Sequence, residues 1–331
     1  KELIPMHITE GRGAVQNLLR GYDAELNGLN AKRWELYLDK SGIGETHYQE
    51  YDADITRHAI DWLTSRSNRS EPWALFVSYV SPHPPFTVPQ RLIDLYPPED
   101  IALPPHCLPG VFSQHPGANY HREKFSGRGI PSPEHVKKMI AAYYGLITHV
   151  DEQIGMVVEA LRKSGLAGDT TLVYSSDHGE MRGAHGLLGK GLMYEDAVAV
   201  PLIIAQPGAQ NVRSVSQIVS HTDIYPTLLD YFGIPLEEFD HDLPGISLLP
   251  AVRGTQCQRS GFAEYHANFS QSGIFMLREG PLKYVYHIGM PAQLFNLDTD
   301  PHELCDLAGQ PDMRSEEHTS ELQSRFGISY A

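Results

Sequence analysis

The chain has 331 residues, 41% of them hydrophobic, enough to bury one large core with a smaller appendage and to set aside a disordered chain. A formal net charge of −15 with no run of Lys or Arg excludes a general nucleic-acid binder, so an anionic ligand would need a local basic pocket. No apolar run reaches the length of a transmembrane span, and the three cysteines, Cys107, Cys257 and Cys305, form no paired metal motif and read as ordinary partly buried thiols.

From Lys1 to about Thr46, isolated hydrophobics (Leu18, Leu19, Trp34, Leu36) among Gly and polar residues predict loops with short helices. No initiating Met and no signal-like segment is present, so this start reads as the interior of a longer protein and leaves the compartment open. From Tyr48 to Ser65, Ile55, Ala59, Trp62 and Leu63 recur at helical spacing and predict one buried face. Trp73 to Val80, WALFVSYV, is a bounded apolar run of strand length. It ends in Ser81 Pro82 His83 Pro84 Pro85, where three prolines are expected to hold the backbone extended and His83 out on a stiff loop. Rigid placement suits a general acid; taken alone, His83 also fits a structural or surface histidine. Tyr96 to Pro133 has no convincing period and reads as a long loop shaping a binding rim, its His106, His115 and His121 solvated. Glu134 to Lys163 is a long helix by the recurrence of Ile140, Tyr143, Tyr144, Ile147, Ile154, Val158 and Leu161, with Asp151 and Glu152 on its exposed face and Gly165 as its stop.

The chain is organised around Thr171 to Ala205. Its short apolar run, Leu172 Val173 Tyr174, stops at Ser175 Ser176 Asp177 His178 Gly179, so a buried strand delivers a carboxylate and an imidazole at its carboxyl end. These are a hard oxygen and a borderline nitrogen ligand, although the dipeptide alone also fits a helix-capping Asp beside a solvated His. Leu188 Gly189 Lys190 Gly191 presents an ammonium on a pliant loop toward an anion, and Val200 to Ala205 returns to the sheet. A helix begins at Ser220 His221 Thr222 Asp223 and ends near Gly233. Four short runs then follow, Gly261 to Tyr265, Ile274 to Leu277, Lys283 to Tyr286 and Gln293 to Leu297, and predict a small antiparallel sheet. Asp300 is expected to cap a further helix with Pro301 at its first position. His266 and Asn268 lie where they could reach a substrate mouth but read as surface polar residues. The alternation predicts an α/β fold: a mainly parallel, doubly wound sheet flanked by helices over residues 1–252, and a small C-terminal α+β subdomain with an antiparallel sheet over 253–313. Residues 314–331, opening RSEEHTSELQS, match a translated sequencing adapter or form a solvated tail, with no function expected there.

The run SSDHGEMRGAHGLLGKGLMYEDAVAVPLII resembles, nearly position by position, the stretch of the type I, formylglycine-dependent sulfatases of the alkaline phosphatase superfamily that carries two active-site metal ligands and the sulfate-contacting lysine. That resemblance implies Asp177 and His178 as metal ligands and Lys190 as the sulfate clamp. FVSYVSPHPPFTVP resembles the sulfatase stretch Pro-His-x-Pro-Phe and implies His83 as a catalytic, substrate-binding histidine that assists or protonates the leaving oxygen. HTDIYPTLLDYFGIP resembles a structural sulfatase segment, and LKYVYH with QLFNLDTDPHEL resembles the family's C-terminal subdomain. In some metal-dependent relatives a histidine near His221 binds metal, but His221 is left out of the site. The resemblance covers about residues 48 to 313.

Its implications are a sulfuric ester hydrolase acting on a small-molecule or glycan sulfate ester, such as a sulfated glycan, choline sulfate or an arylsulfate. The expected cofactor is Ca2+, with Mg2+ or Mn2+ as alternatives, and the oligomeric state is open. The sequence departs from the family at the nucleophile. Cys107 is followed by Leu108 Pro109 Gly110 Val111 rather than the x-Pro-Ser-Arg from which formylglycine is made, and no upstream Asp-Asp pair or Gly-Lys-x-His motif is present. The expectation is therefore an N-terminally truncated fragment, inactive as it stands, with formylglycine in the missing part. The alternatives are a phosphodiesterase or phosphonate monoester hydrolase of the same superfamily and an inactive, glycan-binding sulfatase relative.

Overall fold

The computed structural model describes residues 37, 40–67, 71–108, 110–126, 132–208, 214–255, 259–266 and 270–310. The expectations for Leu18, Leu19, Trp34, Leu36, Cys257, Asn268 and the tail from Arg314 lie outside them.

The elements in chain order are β1 (Gly42–Ile43), α1 (His47–Arg66), β2 (Thr87–Val88), α2 (Gln90–Ile93), α3 (Pro116–Ser126), α4 (Pro133–Lys163), β3 (Leu172–Ser175) and α5 (Glu195–Val198). Then come β4 (Leu202–Ala205), α6 (Ile224–Phe232), α7 (Leu249–Val252), β5 (Ser260–Tyr265), β6 (Ile274–Glu279), β7 (Leu282–His287) and β8 (Gln293–Asn296).

Helix α1 starts at a capping box, in which the Thr46 hydroxyl accepts from the Tyr48 amide and the Gln49 side chain reaches back to the Thr46 amide. Its buried face is Tyr48, Asp52, Thr56, Ala59 and Leu63, while Ile55 and Trp62 of the expected face are only half-buried. The face turns because Asp52 and Thr56 have partners inside: Thr56 Oγ1 is 3.1 Å from the Tyr79 hydroxyl. Helix α4 runs for 31 residues from the Ser132 cap and Pro133 to Gly165, whose φ of +73° needs no side chain. It lays Val136, Met139, Ile140 and Leu146 against Tyr37, Phe86, Val88, Leu92 and Leu188 in one apolar cluster, and α1 packs on its flank.

The sheets depart from the expected parallel architecture. Among the described residues the one parallel ladder is the two-residue pairing of β1 with β2, and β3 pairs antiparallel with β4, Ser175 opposite Leu202. The loop 176–201 leaves and re-enters at the same end of that ladder, which makes the pair antiparallel. Residues 73–80 show the strand's period of two, with Trp73, Leu75, Val77 and Tyr79 half-buried and Ala74, Phe76 and Ser78 exposed. They join no ladder among the described residues, so the expected strand is an extended segment. The expected long loop between Tyr96 and Pro133 contains a helix, α3.

The four C-terminal runs form the antiparallel meander β5-β6-β7-β8. Its inner face packs Ile274, Met276, Val285 and Phe295 on Met181, Leu187, Met193 and Tyr194 of the organising stretch. Lys283, fully buried, fastens the two together through ion pairs to Glu195 at 2.9 Å and Glu303 at 2.8 Å. The expected helix after Asp300 is a set of turns instead. The Asp300 carboxylate accepts from the Cys305 amide at 2.8 Å, and Glu303 takes a φ of +54° to reach Lys283, which ends any helical run.

Candidate active site

The carboxyl end of β3 turns sharply after Ser175. The Asp177 carboxylate is exposed, and its Oδ1 accepts from the amide of His178 at 2.9 Å. His178 Nδ1 lies 2.8 Å from the Gly179 carbonyl oxygen, an acceptor only, so this nitrogen carries the proton. The other ring nitrogen, Nε2, stands 3.3 Å from Asp177 Oδ2. Gly179 is required next: a Cβ there would lie 2.1 Å from the Asp196 carbonyl oxygen, and the Gly179 amide donates to Ala197 O at 2.8 Å.

Lys190 is half-buried on a loop that is fixed at several points. Met181 N donates to Gly189 O at 2.9 Å, and the buried Glu180 carboxylate accepts from Gly189 N at 2.5 Å and Arg182 N at 3.3 Å. Burial pushes the Glu180 carboxyl up to about 7, against the pull of those amides and of the Lys190 and Arg182 charges. Arg182 is held by Asp196 at 2.6 Å. From α3, His121 Nε2 donates to the Lys190 carbonyl oxygen at 2.8 Å and Arg122 Nη1 to that of His185 at 2.7 Å. Thus α3 braces the loop on which Lys190 sits.

His83 is placed by α1. The Asp52 carboxylate, with no exposure, accepts from Val80 N at 2.8 Å and Ser81 N at 3.0 Å, tying the end of the extended segment to the helix. The following residues form a tight turn rather than the expected extended loop: His83 N donates to Val80 O at 3.0 Å, and the Ser81-Pro82 and Pro84-Pro85 bonds are cis. His83 Nδ1 donates to Pro84 O at 2.8 Å, and the ring meets Tyr48 edge-on.

The structure thus brings Asp177 and His178 into contact and ties Lys190's loop to the same segment through Glu180. His83 rests on a separate anchor. What joins the two anchors is the cluster on α4, which holds Phe86, three residues beyond His83, together with Leu188, two before Lys190. Tyr143 packs on Phe86 at 5.2 Å, and its hydroxyl is pushed up to about 12, first by burial and next by the charge of Glu180. His106, His115 and His121, read as solvated, are instead packed against the loop and the sheet: His106 meets His185 at 5.8 Å and His115 meets His287 at 4.2 Å. His221 Nε2 lies 3.2 Å from Ser175 Oγ, and His266 lies beside Glu264.

For a divalent cation, Asp177 and His178 suit two neighbouring positions of one coordination shell. Among the described residues no group of three or more His, Cys, Asp or Glu is arranged to hold a metal.

A family model described as Sulfatase matches residues 15–234, and one described as N-sulphoglucosamine sulphohydrolase, C-terminal, matches residues 183–327. A choline-sulfatase of Rhizobium meliloti is 35% identical over 283 residues, covering 82% of this chain and 54% of that protein. Arylsulfatase K of Gallus gallus is 27% identical over 327 residues, covering 91% of this chain and 60% of that protein. The solved phosphonate monoester hydrolase of Agrobacterium radiobacter superposes with a TM-score of 0.70 at 27% identity, over 83% of this chain and 60% of that one. The chain spans about half the length of the curated relatives it matches. The stretch matched by the first model is most of the chain and includes His83, Asp177, His178 and Lys190, and on that match the chain belongs to the sulfatase family.

Proposed function

We propose that this chain supplies part of the active site of a sulfuric ester hydrolase cleaving a sulfate monoester. The observation that carries the reading is the Asp177–His178 contact, in which two electron-rich atoms face each other at 3.3 Å beside a loop presenting Lys190. A sulfate monoester repels nucleophiles and must shed its bridging oxygen as charge builds there. Lys190 binds and neutralises sulfate oxygens. His83, oriented by Nδ1 on Pro84 O, keeps Nε2 available to hold or pass a proton to the leaving oxygen. Asp177 and His178 would hold a divalent cation, Ca2+ or in its place Mg2+ or Mn2+, which when bound would supply charge stabilisation to the sulfate group. The chain contains no Cys-x-Pro-Ser-Arg sequence, so the formylglycine of this reading is not among its residues, and the chain alone is inactive.

The substrate class is a small-molecule or glycan sulfate ester; the names of the two curated relatives support choline sulfate and arylsulfates. In this reading residues 1–252 form the catalytic α/β domain, whose strands belong to a larger, doubly wound sheet, and residues 253–313 form a C-terminal subdomain. The likeness to the phosphonate monoester hydrolase supports phosphonate monoesters or phosphodiesters as the second substrate class.

The test is residue-resolved NMR of the chain titrated with CaCl2 and then with choline sulfate, 4-nitrophenyl sulfate and phenylphosphonate. Shifts are expected at His83, Asp177, His178 and Lys190, larger with the sulfate esters. Shifts confined to other residues would remove the assignment, and a preference for phenylphosphonate would move it to the second class.

A further inference from the structure

Lys190 is exceptional in how its backbone is held. Gly189 and Gly191 on either side take φ of +74° and +112°, so the loop passes through two left-handed turns that a side chain would strain. Such a turn is pliant unless tied, and three bonds tie it: Met181 N to Gly189 O at 2.9 Å, His121 Nε2 to Lys190 O at 2.8 Å, and Gly189 N to Glu180 Oε1 at 2.5 Å. The third differs in kind. Its acceptor is an acidic group, 8% exposed, whose two recorded hydrogen-bond donors are both backbone amides and which also feels the Lys190 ammonium. A neutral acceptor would close the turn at lower desolvation cost, so the carboxylate has to be justified by what it does to its neighbours. A charge-assisted bond is roughly twice as strong as a neutral one, and the same charge attracts the ammonium next along the chain.

We propose that Glu180 is a positioning residue for Lys190, its buried carboxylate fixing the 188–191 turn through the Gly189 amide and drawing the ammonium to the place where it meets a tetrahedral oxyanion. This rests on the reading of Lys190 as the anion clamp. Glu180 touches no substrate; it acts through Gly189 and through its field at Lys190.

Three proteins test it: the chain as it stands, Glu180→Gln and Lys190→Ala. Each is first checked for a wild-type circular dichroism spectrum and a cooperative thermal transition. Glutamine keeps the shape and an acceptor but carries no charge, so at pH 8, above the value of about 7 to which burial pushes Glu180, the Gly189 amide is expected to exchange with deuterium about tenfold faster in Glu180→Gln while amides of α4 keep their rates. Affinity for inorganic sulfate, followed by NMR titration, is expected to fall about tenfold in Glu180→Gln and further in Lys190→Ala. An unchanged Gly189 exchange rate in Glu180→Gln overturns the proposal, as does sulfate binding weakened by Lys190→Ala but not by Glu180→Gln. If Lys190→Ala binds sulfate as the unaltered chain does, the clamp reading fails by itself, and Glu180's hold on the turn is then decided by the exchange rate alone.

Discussion

Nε2 of His178 stands 3.3 Å from Oδ2 of Asp177 while Nδ1 of the same ring donates to the Gly179 carbonyl oxygen, so with a neutral imidazole the two facing atoms each offer a lone pair. Such a contact is repulsive until a cation occupies it. The expected outcome is that Ca2+ shifts the His178 ring and Asp177 carboxyl resonances together. Asp177→Asn and His178→Ala should each weaken that response about tenfold or more, by removal of one donor. Calorimetric titration of the three proteins checks it, and equal affinities would count against a cation between them.

Asp52 is a second point on which the site hangs. Its unexposed carboxylate satisfies the amides of Val80 and Ser81, while Thr56 and Tyr48 of the same helix meet Tyr79 and His83. Asp52→Ala leaves two amides without their acceptor, at a cost of about 2–3 kcal/mol in urea unfolding. The His83 ring should lose its fixed packing on Tyr48, seen as averaging of its aromatic signals, while β5 to β8 keep their shifts. A loss of stability spread evenly over the chain would argue against this local role.

These two points show what the sequence made legible. The long helix and the C-terminal meander were readable because their apolar residues repeat at 3.6 and 2, and their packing depends on that repeat. Asp177, His178 and Lys190 stood out as a chemical constellation on loops. Asp52 did not, since an acidic residue in a helix ordinarily faces water, and its burial follows from a partner 28 residues away. Helix α3 was missed because PGANYHREKFS has no apolar period; it enters the core through Ala118 and holds the loop by polar contacts, His121 to Lys190 and Arg122 to His185. The strand read at 73–80 has strand geometry but no ladder among the described residues, and periodicity says nothing about which neighbour a strand finds.

Acid should loosen the packing around the loop. Burial pushes His185 and His287 down to about 4, helped by the nearby imidazoles of His106 and His115 respectively. An unfolded histidine takes its proton near 6.5, so between that pH and about 4 the unfolded chain binds more protons than the folded one. The stabilising effect of keeping these rings neutral is complete above about 6.5. It is lost as pH falls toward 4, at about 1.4 kcal/mol per pH unit for each histidine. Because the raised carboxyls of Glu180 and Glu303 act in the opposite sense over this range, the histidine part is read as a difference: in urea unfolding at pH 7, 6 and 5, His287→Gln should lose less stability than the unaltered chain, by about 1.4 kcal/mol per pH unit below 6.5. Equal slopes in the two proteins would show that the His287 ring does not stay neutral for the reason given.

The clamp between the meander and the organising stretch centres on a buried ammonium, and Arg278 of β6 adds a 3.3 Å pair to Glu195. Lys283 pairs with Glu195 and Glu303, and Glu303 in turn accepts from the Glu195 amide at 2.6 Å, which fixes the start of α5. Burial raises the Glu303 carboxyl above its usual range, so that site tolerates its charge only beside Lys283. Lys283→Met therefore costs about 3–5 kcal/mol, since it leaves a buried carboxylate without its counter-charge. Adding Glu303→Gln should recover part of that loss, because the uncompensated charge is removed while an acceptor for the Glu195 amide remains. A double-mutant cycle in guanidinium measures the coupling. Since α5 also carries Asp196, whose carbonyl lies against Gly179, the single variant should shift the Gly179 amide as well as lower stability. A single variant that unfolds earlier but leaves Gly179 unmoved would confine Lys283 to holding the sheet, with no influence on the Asp177–His178 pair.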